Sequence, residues 1–255
     1  MQLKQPLQQA ILRKRYKRFL ADIELANGKT ITIHCPNTGS MKNCQQAGSR
    51  IWYTDSENPQ RKYPCTWQIV EVDSRYLVGI NTALANKLVY EALSEGRIKQ
   101  LSGYTEIRAE VAYGEQGSRI DFLLASPEEA GSEEASAEVE RPLLPRPSSC
   151  YLEVKNVSLG IGQGRGIFPD SVTTRGQKHL QELMHMQTLG HRAVLLFCVQ
   201  HSGIQQVAPA DDLDPEYGRL LRLAARSGVE VLAYGVKFDV ENSTLELAEE
   251  LPVIL

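Results

Sequence analysis

Short apolar runs broken by turn residues fill the first eighty positions: Phe19 to Leu25, Thr30 to His34, Arg50 to Thr54, Cys65 to Val72 and Tyr76 to Ile80. Runs of this length, rich in β-branched and aromatic residues, predict strands. Asn27-Gly28 between the first two is a hairpin signal, because a tight two-residue loop needs positive φ at both central positions. A small closed β-barrel of about five strands is the simplest object such a series makes.

The period changes at Asn81. From an N-cap at Asn81 or Thr82, Ala85, Leu88, Val89, Ala92 and Leu93 fall on one helical face, and Gly96 supplies a stop. Three strands are expected next, at Glu106–Tyr113, Arg119–Ala125 and Cys150–Ser158. A second helix is marked by the capping pattern Thr174-x-x-Gln177 and continued by Leu180, Leu183, Met184 and Gln187. Arg192–Val199 reads as a buried strand, Asp214–Arg226 as a helix and Val229–Val236 as a last strand. Helices placed among strands in this order predict a mixed α/β sheet, antiparallel at first. Residues 126 to 149, rich in Glu, Ala, Ser and Pro, read as a solvated, mobile insertion.

With 255 residues, 42% hydrophobic and 23% charged, the chain is long enough for two domains and too apolar to be disordered throughout. No stretch approaches the roughly 20 apolar residues of a membrane span, and the first residues lack a secretory pattern, so a cytoplasmic location is expected. The five cysteines are widely spaced without a C-x-x-C pair and read as reduced thiols. The net charge of −3 hides an asymmetry. Residues 1–80 hold twelve Lys/Arg against six Asp/Glu, a net of +6, and residues 81–255 hold sixteen against twenty-five, a net of −9. A basic first third has a polyanion as its natural partner.

Two of the expected strands carry charge where apolar neighbours would be usual: Ser118-Arg119-Ile120-Asp121-Phe122-Leu123-Leu124 and Tyr151-Leu152-Glu153-Val154-Lys155-Asn156-Val157. Strand geometry puts Glu153 and Lys155 on the same face. Buried charges need compensation, and a divalent metal held by Asp121 and Glu153 with Lys155 beside it would supply it. A helix–three-strand–helix–strand order with Asp on the second strand and Glu-x-Lys on the third resembles the PD-(D/E)XK metal-dependent nuclease superfamily. Its motif proline is replaced here by Ile120. The chemistry agrees: phosphodiester hydrolysis uses a Lewis acid, a metal-bound water and a positive group near the reacting phosphate, and carboxylates suit Mg²⁺ or Mn²⁺. Glu91, Glu106 and Glu110 are weighed as further ligands against solvent-facing roles, the latter preferred. The glycine run Gly160 to Gly166 fails the dinucleotide spacing, leaving a flexible connector or a phosphate contact by Arg165. Arg175 and Lys178, with Gln177, open the second helix and are candidate phosphate contacts.

Arg13-Lys14-Arg15-Tyr16-Lys17-Arg18-Phe19 packs five positive charges and two aromatics into seven residues, and Arg61-Lys62-Tyr63 extends the patch. Phosphate contacts give sequence-independent affinity and aromatic faces stack on bases. With His34-Cys35-Pro36-Asn37-Thr38-Gly39-Ser40-Met41 and Phe168-Pro169-Asp170-Ser171-Val172-Thr173-Thr174-Arg175-Gly176, these words make the chain resemble the sugar fermentation stimulation protein A family almost end to end. The His34-Cys35 word is read as structural. The resemblance implies a two-domain α+β/α/β fold, with an OB-like β-barrel at 1–80 that binds DNA without strong sequence preference. It implies a PD-(D/E)XK, restriction-endonuclease-like mixed sheet flanked by helices at 81–255. Two functions are expected to compete: a Mg²⁺- or Mn²⁺-dependent nuclease using Asp121, Glu153 and Lys155, and a non-catalytic DNA-binding regulator of sugar (maltose) use that keeps the nuclease fold. Neither needs a membrane or a small organic cofactor.

Overall fold

Alternation of inward apolar and outward polar side chains closes the first strands on themselves. They are β1 (Gln8–Tyr16), β2 (Leu20–Glu24), β3 (Thr30–His34), β4 (Arg50–Asp55), β5 (Cys65–Val72) and β6 (Tyr76–Gly79). β1 pairs antiparallel with β2 and β4, β2 with β3, and β4 with β5. β3 meets β5 in parallel at His34 and Thr66, which completes a five-stranded OB-type barrel in the order β1-β2-β3-β5-β4. Closure leaves no long free edge. Leu12, Ile23, Ile33, Ile51, Trp67 and Val70 fill the interior. The Asn27-Gly28 hairpin forms as expected, with Gly28 at φ +79°. β1 was hidden in the sequence because only Ala10 and Leu12 of it enter the core, and basic residues mask the alternation beyond them.

The computed structural model describes residues 1–114, 117–126 and 149–255, so the expected insertion at 126–149 falls almost wholly outside the described residues. The second sheet is built from β7 (Glu106–Tyr113), β8 (Ser118–Ala125) and β9 (Ser149–Val157), then β12 (Arg192–Val199), β14 (Glu230–Asp239) and β15 (Thr244–Glu250). Its order is β7-β8-β9-β12-β14-β15, parallel among β9, β12 and β14 and antiparallel elsewhere. Helix α1 (Ala83–Ser94) covers one face with Leu84, Leu88 and Val89 against Leu152, Leu196 and Val236. Helices α2 (Thr174–Thr188) and α3 (Pro215–Arg226) cover the other with Leu180, Leu183, Tyr217 and Leu221 against Leu195 and Phe197. The glycine run forms a hairpin of β10 (Leu159–Gly160) and β11 (Arg165–Phe168), and β11 lies parallel to β13 (Gln206–Pro209). No helix among the described residues is long and apolar enough to cross a membrane. All five cysteines are buried free thiols.

The caps fall close to their expected places. Thr173, one residue ahead of the expected cap, accepts from Gly176 N at 3.0 Å and starts α2. Asp214 accepts from Tyr217 N at 3.0 Å to start α3, and from Thr173 N at 2.9 Å and Gln177 Nε2 at 2.9 Å. One buried carboxylate thus fixes the starts of both helices on that face. Thr82 does not cap α1 with its side chain; Asn81 Oδ1 accepts from Ala83 N at 3.2 Å, while the Thr82 hydroxyl reaches Pro36 O in the barrel.

The barrel is tied to the second sheet from several directions. Gly79 N donates to Gln200 O at 2.9 Å, and Ser202 N donates to Leu77 O at 2.9 Å. Ser40 donates to the Asp170 carboxylate through N at 3.0 Å and Oγ at 2.9 Å. Residues 1–3, ahead of the barrel, run beside β15: Leu245 N donates to Met1 O and Leu3 N to Ser243 O, each at 3.0 Å.

Candidate active site

The ladder between β8 and β9 ends at Phe122 opposite Leu152. One residue further, Asp121 stands where a main-chain partner would be, and its Oδ2 accepts from Val154 N at 2.7 Å. Alternation breaks here as well, since Ile120 packs on the α2 side although Phe122 and Leu124 pack on the α1 side. Opposite, Glu110 has φ +55° and its carbonyl accepts from Arg119 Nη1 at 2.8 Å. The carboxylate therefore occupies a split in the sheet. From α1, Asn86 Nδ2 donates to Asp121 Oδ1 at 2.8 Å.

Glu153 lies on the α2 side and is only 2% exposed. Lys155, two residues on and on the same face, donates from Nζ to Glu153 Oε1 at 2.6 Å. His179 of α2 sets its Nδ1 against the same oxygen, and Lys155 Nζ lies 3.2 Å from that nitrogen. Arg175, one turn earlier, directs Nε to His179 Nε2 at 3.4 Å. Glu153 Oε2 is buried and without a hydrogen-bond partner, as are the hydroxyls of Tyr113 and Tyr217. Burial followed by the Glu153 charge pushes both phenols up, so they remain protonated donors around a negative centre.

The two carboxyls are driven apart. Burial and then the neighbouring Glu153 raise Asp121, against the Val154 and Asn86 hydrogen bonds and the Lys155 charge. For Glu153 burial is the largest influence and acts upward, but the His179 hydrogen bond and the Lys155 charge together hold it below its ordinary value. A pair in which one acid resists ionisation because of the other is what a divalent cation relieves.

Asp121, Glu153 and Lys155 thus stand at one split in the sheet. Arg175 joins them through His179, while Lys178 lies half-buried on the same first turn of α2. Glu91 faces away, paired with Arg97 at 3.2 Å and the Met1 amino group at 2.6 Å. Glu106 and Glu110 are exposed. Arg165 opens β11, in a hairpin rather than a loose connector.

In the barrel, Arg13 pairs with Glu24, Lys14 with Asp22 at 3.3 Å, and Tyr16 donates to Asp22 Oδ1 at 3.0 Å. Arg15 turns inward, and its Nη2 donates to the carbonyls of Arg18 at 2.8 Å, Asn37 at 2.9 Å and Gly39 at 3.1 Å. Lys17 and Arg18 form the exposed hairpin tip at φ +50° and +63°, followed by Phe19, 47% exposed. Arg61 and Lys62 are exposed, Lys62 lying 5.6 Å from the Tyr63 ring centroid. The His34–Met41 word proves structural: Asn37 Oδ1 accepts from Gly39 N at 2.8 Å, and Ser40 locks the loop onto Asp170.

Sequence reasoning passed over His179, Asn86, Tyr113 and Tyr217. The signal for the first was present, because His179, Glu182, Leu183 and Met186 share the inward stripe of α2, where two polar residues among apolar ones call for partners.

Among the described residues no cluster of three or more His, Cys, Asp and Glu forms a ready ligand set. Two carboxylates with one buried oxygen unpartnered still fit a hard cation such as Mg²⁺, which is commonly held by one or two acids and keeps several waters.

An OB barrel followed by a six-stranded mixed sheet, with an Asp, Glu and Lys group where that sheet splits, defines a two-domain protein with a restriction-endonuclease-like second half. The model of the sugar fermentation stimulation protein RE domain matches residues 83–242, and that of the SfsA N-terminal OB domain matches residues 14–80. The chain belongs to the sugar fermentation stimulation protein family. Homologs of that name from Saccharophagus degradans and Shewanella baltica are each 50% identical, over 245 and 249 residues, covering 96% and 98% of this chain and 97% of each relative. The structure of Pyrococcus furiosus SfsA in complex with Ca²⁺ has the same fold, with a TM-score of 0.82 at 23% identity over 100% of this chain and 98% of that one.

Proposed function

We propose that this protein is a cytoplasmic, largely sequence-nonspecific DNA-binding protein that hydrolyses phosphodiester bonds at Asp121, Glu153 and Lys155 with Mg²⁺ or Mn²⁺. The observation that carries the reading is the buried Glu153 carboxylate, one oxygen held by Lys155 and His179 and the other unpartnered, beside an Asp121 whose ionisation it opposes. The Pyrococcus furiosus relative in complex with Ca²⁺ supports a divalent cation here.

When bound, the metal would neutralise phosphate charge and lower the pKa of a coordinated water. Asp121 and Glu153 would hold it, Asp121 being oriented by Asn86 and the Val154 amide. Lys155 would set its ammonium group beside the reacting phosphate. Arg175 and Lys178 at the start of α2 place donors beside the amide groups of a helix N-terminus, which favour anions. On the barrel, Lys17, Arg18 and Phe19 offer two charges and an aromatic face, and Arg61 and Lys62 add to them.

A second reading rests on a specific observation too. Lys155 is already ion-paired with Glu153, and among the described residues no group of three or more His, Cys, Asp or Glu stands ready to hold a metal. That arrangement suits a non-catalytic DNA-binding regulator. Incubating the wild type and Glu153→Ala with single- and double-stranded DNA and Mg²⁺ or Mn²⁺ decides between them. The nuclease reading expects cleavage by the wild type alone; equal cleavage, or none with undiminished binding, sinks it.

A further inference from the structure

His179 meets Arg175 Nε at Nε2, and at Nδ1 it meets both Glu153 Oε1 and Lys155 Nζ. An arginine Nε–H is always a donor, so Arg175 Nε at 3.4 Å makes His179 Nε2 an acceptor. The ring proton then sits on Nδ1, directed at Glu153 Oε1. Lys155 donates to the same oxygen, its Nζ 3.2 Å from that ring nitrogen. Oε1 is therefore held by two donors from two elements, one on β9 and one on α2, while Oε2 of the same carboxylate has none. A carboxylate on a strand has rotamer freedom that β9 alone does not remove. The imidazole, 5% exposed and packed within α2, removes it.

We propose that His179 is a positioning residue: as the Nδ1–H tautomer, set by Arg175, it fixes Glu153 so that Oε2 is the atom presented to the cation. This role rests on the metal-site reading above. It also gives Arg175 a second task, since the guanidinium that faces the substrate phosphate sets the tautomer that orients the ligand. Phosphate binding and cation binding are joined through three side chains.

The test uses the full chain and Mn²⁺ alone as probe, with free Mn²⁺ followed by electron paramagnetic resonance. His179→Asn keeps an N–H donor close to the Nδ1 position, and His179→Leu keeps the bulk without it. Groups that orient a metal ligand are worth about 10–100-fold in affinity, so the Leu variant is expected to lose that much and the Asn variant to stay within about threefold of the wild type. Leu binding as well as the wild type, or Asn binding as weakly as Leu, overturns the role. In parallel, imidazole ¹⁵N shifts of the unsubstituted protein are expected to show the Nδ1–H tautomer, and a Nε2–H form overturns it without any variant. A wild type that takes up no Mn²⁺ refutes the metal reading itself, an outcome separate from a wild type that binds and a Leu variant that binds equally.

Discussion

Replacing Lys155 by Met and Glu153 by Leu, singly and together, separates what the buried pair does for stability from what it does for chemistry. Glu153 Oε1 takes Lys155 Nζ at 2.6 Å, with side chains 3% and 13% exposed, so solvent screens the pair little. Either single change strands a charge. Lys155→Met leaves a carboxylate with His179 alone, and Glu153→Leu leaves an ammonium beside an imidazole. Breaking one side of a buried pair costs about 3–5 kcal/mol, whereas replacing both sides by apolar groups is often neutral or stabilising. Here the double variant still strands the His179 Nδ1–H, a loss of about 1–2 kcal/mol. The singles are therefore expected to lose about 3–4 kcal/mol each and the double no more than about 2 kcal/mol, a coupling of at least about 4 kcal/mol. Urea unfolding followed by far-UV circular dichroism suits the cycle, because both tryptophans, Trp52 and Trp67, lie in the barrel and report on it alone. Additivity within about 0.5 kcal/mol would refute the reasoning. A double variant that is stable but inactive would show that the pair is kept for chemistry.

Asp121→Asn is expected to be at least as stable as the wild type at pH 7. The raised carboxyl keeps a proton in the fold that the unfolded chain releases above 3.8, so its contribution is present at low pH and lost as pH rises through the raised value. The variant should lack that fall in a pH series of urea midpoints, and an unchanged series would count against it. Asp170→Ala removes the acceptor of both Ser40 donors at a half-exposed site and should cost about 2 kcal/mol by the same unfolding assay. Charge reversal at Lys17 and Arg18 should leave stability unchanged while lowering the slope of log binding constant against log salt by about 0.9 per lost phosphate contact. Arg15→Ala should do the opposite, destabilising by about 2–3 kcal/mol because it strips a charged donor from three carbonyls; a salt-slope change without a stability loss would refute that assignment.

Much of this was legible in the chain because local and tertiary signals agree. The Asn27-Gly28 hairpin, the stripe of α1 and the Asp214 start of α3 all form where turn chemistry and periodicity put them. Asp121, Glu153 and Lys155 stood out because strand alternation leaves no solvent for them. β1 was obscured because its outward residues are basic and its tip bends through positive φ at Lys17 and Arg18. The basic word itself divided in a way no sequence shows: Arg15 is spent inside on carbonyls, Arg13 and Lys14 on acids of β2, and the tip remains for a ligand. Likewise Glu91 and Asn86 sit on one helix, but the bond from Asn86 to Asp121 and the pairing of Glu91 with Arg97 emerge only once the helix is docked.

The first three residues lie along β15 before the chain enters the barrel, and the chain leaves the barrel at Gly79, bonded to Gln200. Mechanically this is a two-point mounting. A module hung from a single linker swivels freely, but one clamped at entry and exit resists torque about any axis except the line joining its clamps. A load applied across the Arg18 tip would therefore be carried by the Ser40–Asp170 strut and, five residues on, would reach the helix turn that carries Arg175.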